Sequence, residues 1–202
     1  MTKARQFAVV LLITFLSMVG IQPSFSQVPS KTEEPIQYKI DKGHSSIVFA
    51  VSHFGISYVY GRFNDFSGNF ALQGGELTTS GFSFIVNAKT IDTNNSARDK
   101  HLRSRDFFDT EQFPKIKFVT TGFTKVDSTY QITGDLTMHG QTRSVTMPVK
   151  LVGIGKGPFD SQRAGYMAKF TLKRDAFGID KLAGQIGNNI AVTFSFVGVK
   201  QR

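Results

Sequence analysis

The sequence has no cysteine. Disulfides and thiol chemistry are excluded, as is a lipid anchor on a cysteine at an export cleavage site, so the fold must stand on its core alone. It has no tryptophan, and no block of five or six like charges although its 24 Lys and Arg outnumber its 15 Asp and Glu. A formal charge of +9 spread in this way reads as a solvated surface with a cationic bias, of the kind that attracts anionic lipid or envelope polymer. There is no internal repeat and no low-complexity tract. Beyond the N-terminus no apolar run is long enough to cross a bilayer as a helix, which takes about 20 residues.

Catalytic and metal signatures are missing as well. No Gly-x-Ser-x-Gly elbow occurs. Gly153 to Gly157 is glycine-rich, but no Gly-Lys-Ser/Thr follows in a strand-to-helix setting, and the Gly153 to Pro158 cluster reads as a turn. The four histidines show no His-x-His or His-x-x-x-His spacing. His44 and His53 would stand about 30 Å apart on opposite faces of a straight strand. His101 falls in a short helix and His139 on a polar strand face beside Gly140. Neither a metal nor a cofactor is expected.

What is present begins with an export signal. Lys3 and Arg5 precede an apolar run from Phe7 to Val19, and Ser24-Phe25-Ser26 supplies a small-residue cleavage site. Residues 1–26 are thus expected to be a signal peptide, with an uncleaved anchor as the alternative, and the mature protein to be periplasmic or secreted. Its loss lowers the formal charge from +9 to +7. An exported chain is not expected to meet nucleic acid. Residues 27–36 read as a polar tether, and residues 37–202 as one domain.

That domain is patterned with period two, the mark of strands. Expected strands are Ser45 to His53, Tyr58 to Leu72 (bent or broken near Gly61 and Gly68), Phe82 to Ile91, Ile116 to Phe123, Tyr130 to His139, Val145 to Leu151, Tyr166 to Lys173 and Ile190 to Phe196. Turn signals at Gly74-Gly75, His139-Gly140 and Gly187-Asn188-Asn189 separate them. Gly134, inside an alternating run, reads as a bulge or bend. One helix is expected over Ser96 to Phe108, capped by Asn95 or Ser96. Asp106 and Asp109 should cap it or pair with Arg103 or Arg105 while Phe107 and Phe108 pin it to the sheet.

The fold class is therefore all-β: eight antiparallel strands with clean alternation, in a closed barrel or a sandwich, plus one short helix around residues 96–108. Closure removes edges that a Phe-rich sheet would otherwise expose. Seventeen of the 20 Phe lie beyond the signal peptide, and they either fill the barrel or line a pocket. The inward positions include Phe49 and Val51 on one strand, Phe84 and Val86 on another, then Phe118, Leu136, Met147, Val149, Phe170, Phe194 and Phe196. His53 continues the inward face of Phe49 and Val51, as a structural histidine at the barrel end, a contact for a ligand head group, or a general base. Ser45 is the other polar inward candidate.

Several segments together resemble the YceI-like family of lipocalin-like, polyisoprenoid-binding proteins. They are Tyr38-Lys39-Ile40-Asp41 with His44 to Phe49 and His53, Gly61-Arg62-Phe63 with Phe66, Gly68 and Phe70, and Arg98-Asp99-Lys100-His101-Leu102 with Asp106 to Asp109. Phe113 to Phe118, Gly134 to Gly140 and Arg174 to Ile179 complete the set. Tyr38 stands where relatives often carry Trp. The resemblance runs from Tyr38 to Lys200 and implies a lipocalin-like barrel, an exported location and a bound long-chain isoprenoid of quinone or prenyl-phosphate type, or another apolar lipid. It implies no catalysis. A ligand of that kind needs little polar help: each five-carbon unit buried yields roughly 3–4 kcal/mol, against an association cost of about 4–15 kcal/mol. The expectation is a non-enzymatic lipid-binding protein whose pocket draws on the inward positions above, some of which must be plain core at a closed end. A ligand-free envelope module and, further off, a lipid-modifying enzyme are the alternatives. Oligomeric state is open, a homodimer included.

Overall fold

Alternation of apolar and polar residues gives the chain its strands, and their two faces give it an inside. The computed structural model describes residues 33–78 and 82–202; the expected signal peptide and the tether up to residue 32 lie outside the described residues. The strands are β1 (Ile36–Ile40), β2 (Ser46–His53), β3 (Ser57–Phe63), β4 (Phe66–Gln73), β5 (Glu76–Leu77), β6 (Ser83–Asn87), β7 (Ile91–Asp92), β8 (Lys115–Val126), β9 (Thr129–Met138), β10 (Gln141–Lys156), β11 (Gln162–Lys173) and β12 (Ile186–Lys200). The helix α1 is Ser96–Arg103.

The circuit β1-β4-β6-β8-β9-β10-β11-β12 closes by pairing of β12 with β1, Tyr38 opposite Lys200, into an antiparallel barrel eight strands round. At one end the wall is continued by other segments. β2 takes over from β1 along β12, with Ile47 opposite Phe194. β3 pairs with β2, and β7 pairs with the end of β3. Three wall positions are thus made of two segments each, joined at Lys42–His44, at Asn64-Asp65 and at Ala88–Thr90. The break expected near Gly61 and Gly68 falls between them, at Asn64-Asp65. Here Asp65 accepts from Lys42 Nζ and Asn87 Nδ2, which fastens the three joints to one another. The first joint is a capped turn: the Asp41 carboxylate accepts from Gly43 N and Arg163 Nη1, and contact with Arg163 and His44 holds it below the usual carboxylate range. Ser45 is not an interior group. Its hydroxyl donates to Asp41 O and accepts from Val197 N.

Gly134 is where the interior demands a missing side chain. A Cβ there would collide with the Phe118 ring, and the register shift lies on the facing strand, between Thr120 and Gly122. β10 runs on through Gly153 to Lys156, so the glycine cluster expected to be a turn is mostly strand, paired with β11 from Gly153↔Gly165 to Lys156↔Gln162. Glycine at alternate positions still allows strand geometry, and the turn starts only at Gly157. The helix also ends early. Asn95 caps it by accepting from Arg98 N, but Ser104 turns back on His101 O with both its N–H and its hydroxyl, and residues 104–112 continue as turns.

One end of the barrel is packed solid. Tyr38 stacks on Phe70 at 5.3 Å, Tyr166 on Phe196 at 5.6 Å, and Phe82 lies 5.2 Å from Phe196. Ala164, Ala168 and Gly198 leave room for those rings; a Cβ at Gly198 would strike Phe70. The Tyr166 hydroxyl is buried with no hydrogen-bond partner among the described residues, and burial pushes its phenol pKa up.

Candidate functional site

At the other end the interior is empty. A cavity of about 500 Å³ lies between β2, β11 and β12 on one side and α1 with its following turns on the other. Its size falls within the range of roughly 300–1,000 Å³ found for ligand pockets. β2 supplies Ile47, Phe49 and Val51, and β12 supplies Ile190, Val192 and Phe194. Phe84, with Phe118 stacked flat behind it at 5.2 Å, belongs to the wall nearest the packed core. Leu102, Phe107 and Phe108 form the roof. Phe107 is buried, and Phe108 meets Phe63 edge-on at 5.8 Å, so the pair do pin the helix to the barrel.

Of the twelve positions expected to contact a ligand, Phe49, Val51, His53, Phe84, Val86, Leu136, Met147, Phe170 and Phe194 line this cavity. Phe118, Val149 and Phe196 point inward too, but they are fully buried in the packed region. The alternation identifies the face of a strand; it says nothing about depth along the barrel axis.

The polar groups at the cavity are five: His53, Thr93, Arg98, His101 and Arg174. Only the first was an inward candidate by periodicity. His53 is exposed, not buried, because β2 reaches past the roof to the open rim. Its ring meets Phe54 edge-on at 4.6 Å. Arg98 donates from Nε to Thr93 Oγ1 and from Nη2 to Thr93 O, both at 2.8 Å. Thr93 donates its N–H and hydroxyl to the buried Asp99 carboxylate, so the roof helix is locked to the end of β7. His101 bonds Asp106, which also meets Lys181 at 3.5 Å. The hydrogen bond from His101, then Lys181, holds the Asp106 carboxyl below its ordinary range. These partners replace the expected Arg103 and Arg105; Arg103 is engaged by Lys89 O and Ile91 O.

Arg174 organises the far rim. Its guanidinium donates to the carbonyls of Ile179, Lys181, Ile186 and Gly187 at 2.8–3.1 Å, gathering residues 179–187 around one buried cation. Desolvation draws its pKa down. Neither arginine was visible as a site residue from periodicity, since both lie where the strand pattern stops. Both stood only in the segments that carried the family resemblance.

Chemically this is a place to hold an apolar body. Thr93, Arg98 and Arg174 are tied to protein partners. Among the described residues no group of three or more His, Asp or Glu is placed to hold a metal ion. His44 is occupied by Asp41 and His139 by Phe177 O.

A family model described as the YceI-like domain matches residues 38–198. The chain is 37% identical over 188 residues to Protein YceI of Escherichia coli O157:H7, covering 92% of this chain and 98% of that protein. It is 39% identical over 169 residues to a UPF0312 protein of Pseudomonas putida, covering 82% of this chain and 88% of that one. Among solved structures, Burkholderia cenocepacia BcnA superposes with a TM-score of 0.71 at 18% identity, over 78% of this chain and 98% of that one. A polyisoprenoid binding domain from Saccharophagus degradans superposes with a TM-score of 0.63 at 14% identity, over 81% of this chain and 98% of its own.

Proposed function

This chain belongs to the YceI-like family, and we propose from that premise that it is an exported, non-enzymatic binding protein that holds a long-chain isoprenoid or similar apolar lipid in its barrel. The single observation that carries the reading is the apolar cavity of about 500 Å³, roofed by α1 and left unfilled by the side chains around it. A void of that size in a plain structural module would cost stability for nothing, since unfilled walls forfeit their packing contacts. The polyisoprenoid-binding fold neighbour supports the same ligand class. The arrangement of the polar groups supports a ligand of quinone or prenyl-phosphate type: an apolar tail among Phe and aliphatic side chains, with the head near Arg98, His101 and His53 at the rim. The basic start, apolar run and small-residue site at the N-terminus support export to the periplasm or beyond.

The test is mass spectrometry of organic extracts from protein purified without detergent after expression with its N-terminal segment. An isoprenoid-containing lipid near one per protein is expected. Extracts with no lipid, from protein that also fails to bind added polyprenyl phosphate, favour the ligand-free module.

A further inference from the structure

The β2–β3 hairpin carries apolar side chains in water. Phe54 is 55% exposed, Ile56 86%, Tyr58 67% and Tyr60 70%. Scattered apolar residues on a surface need no explanation, but a contiguous group at the mouth of an apolar cavity does. Phe54 leans against His53 of the cavity rim, and its N–H donates to Gln185 O on the rim loop that Arg174 gathers. The hairpin tip is therefore continuous with the opening.

The register shows what lies behind the tip. On the outer face Tyr58 stands opposite Ser52, Tyr60 opposite Ala50, and Arg62 opposite Val48. The next strands continue those rows: Ala50 meets Ala191 and Val48 meets Thr193 on β12, while Asn189, Ala191 and Thr193 meet Lys173, Thr171 and Lys169 on β11. Among the described residues this four-strand face carries Arg62, Lys169 and Lys173 and no carboxylate. Asp92, opposite Arg62, and Asp175 stand at its edges. Tyr58 and Tyr60 with Arg62 on β3 at one side, Lys169 and Lys173 on β11 at the other, and two apolar side chains at the hairpin tip make a surface that matches a bilayer interface: aromatic rings at headgroup depth, cations toward anionic lipid.

We propose that the protein docks on anionic phospholipid bilayers through the β2–β3 hairpin tip and the outer face of β3, β2, β12 and β11, setting the cavity mouth against the membrane. The proposal rests on the lipid-binding reading for its purpose, since a lipid that lives in a bilayer must be handed over at one. It does not rest on it for its test.

That test is co-sedimentation of the full mature chain with vesicles of 30% phosphatidylglycerol in phosphatidylcholine, against phosphatidylcholine alone. Three proteins are compared: wild type, Phe54→Ser with Ile56→Ser, and Lys169→Glu with Lys173→Glu. All the changed residues are exposed and outside the cavity wall, and thermal melts check that each variant is folded. Wild type should prefer the anionic vesicles, and the preference should fall as salt rises. Lys169→Glu with Lys173→Glu should bind them at least about 25-fold more weakly, about fivefold for each cation lost, and Phe54→Ser with Ile56→Ser on the order of tenfold more weakly through lost apolar insertion. Equilibrium binding of detergent-dispersed polyprenyl phosphate should be unchanged in both. If the vesicles bind but polyprenyl phosphate does not, docking stands and the cavity reading fails. If wild type ignores the vesicles, or both variants bind them as well as wild type, docking is wrong whatever the cavity holds. A concentration-dependent dimer that Phe54→Ser/Ile56→Ser dissolves, without vesicle binding, overturns the proposal in favour of a second copy of the chain on this face.

Discussion

Five unbroken strands, β8 to β12, serve both ends of this barrel with the same alternation, and β2, β3 and β7 carry on the other three wall positions, yet one end is solid and the other hollow. Around Phe70, Tyr166 and Phe196 small residues such as Ala164, Ala168 and Gly198 alternate with large rings, so each ring has a recess to enter. Around Phe49, Val192 and Phe170 the wall is made of medium and large side chains facing one another across a gap, and the end is covered by a helix and not by converging strands. An apolar interior is thus necessary for a pocket and does not make one. What decides is whether neighbouring strands offer complementary sizes at the same depth.

Mutations should separate the two ends. Phe70→Ala, in the packed end, should cost about 3–5 kcal/mol in denaturant melts, through lost transfer energy and a new cavity. A cost below that of cavity-wall variants would mean the packed end is not the stabilising half. Arg174→Ala should cost about 2–3 kcal/mol, because the four carbonyls it gathers lose a charged donor. Hydrogen exchange should quicken over residues 179–187 and leave β9 and β10 unchanged. Phe170→Ala should cost only on the order of 1–2 kcal/mol, since a half-buried ring beside an existing void has fewer contacts to lose. Its neighbour Lys169, on the outer face, should tolerate Ala within about 0.5 kcal/mol. Smallest of all, Tyr166→Phe should be neutral or slightly stabilising, because it removes a buried hydroxyl without a partner and leaves the ring stacked on Phe196. A loss above about 1 kcal/mol would show that the hydroxyl is satisfied in solution.

The same contrast marks what could be read in the sequence. Strand faces were legible: Phe170 is inside and Lys169 outside, as period two requires, and the barrel's eight-strand count follows from the turn signals. Depth was not, so Phe118, Val149 and Phe196 could not be told from Phe84 and Phe194. Strand breaks set by side-chain caps were legible only in part: a break between Gly61 and Gly68 was expected, but its place at Asn64-Asp65 and the joint at Asp41 depend on partners more than 20 residues away, Lys42 to Asp65 and Arg163 to Asp41. The roof suffered most. A helix was expected there, but not that Arg98 and Asp99 turn inward through Thr93, a contact no periodicity announces.

The measurement that bears most directly on the hollow end is a denaturant melt of wild type and of Val192→Phe, which fills the cavity from its wall, each with and without polyprenyl phosphate. At a ligand concentration of about 100 times Kd, wild type should gain about 2.7 kcal/mol from a ligand that binds only the folded state. Val192→Phe should gain far less while remaining at least as stable as wild type without ligand. No gain for wild type at any soluble concentration, or an equal gain for Val192→Phe, would contradict a lipid held in this cavity.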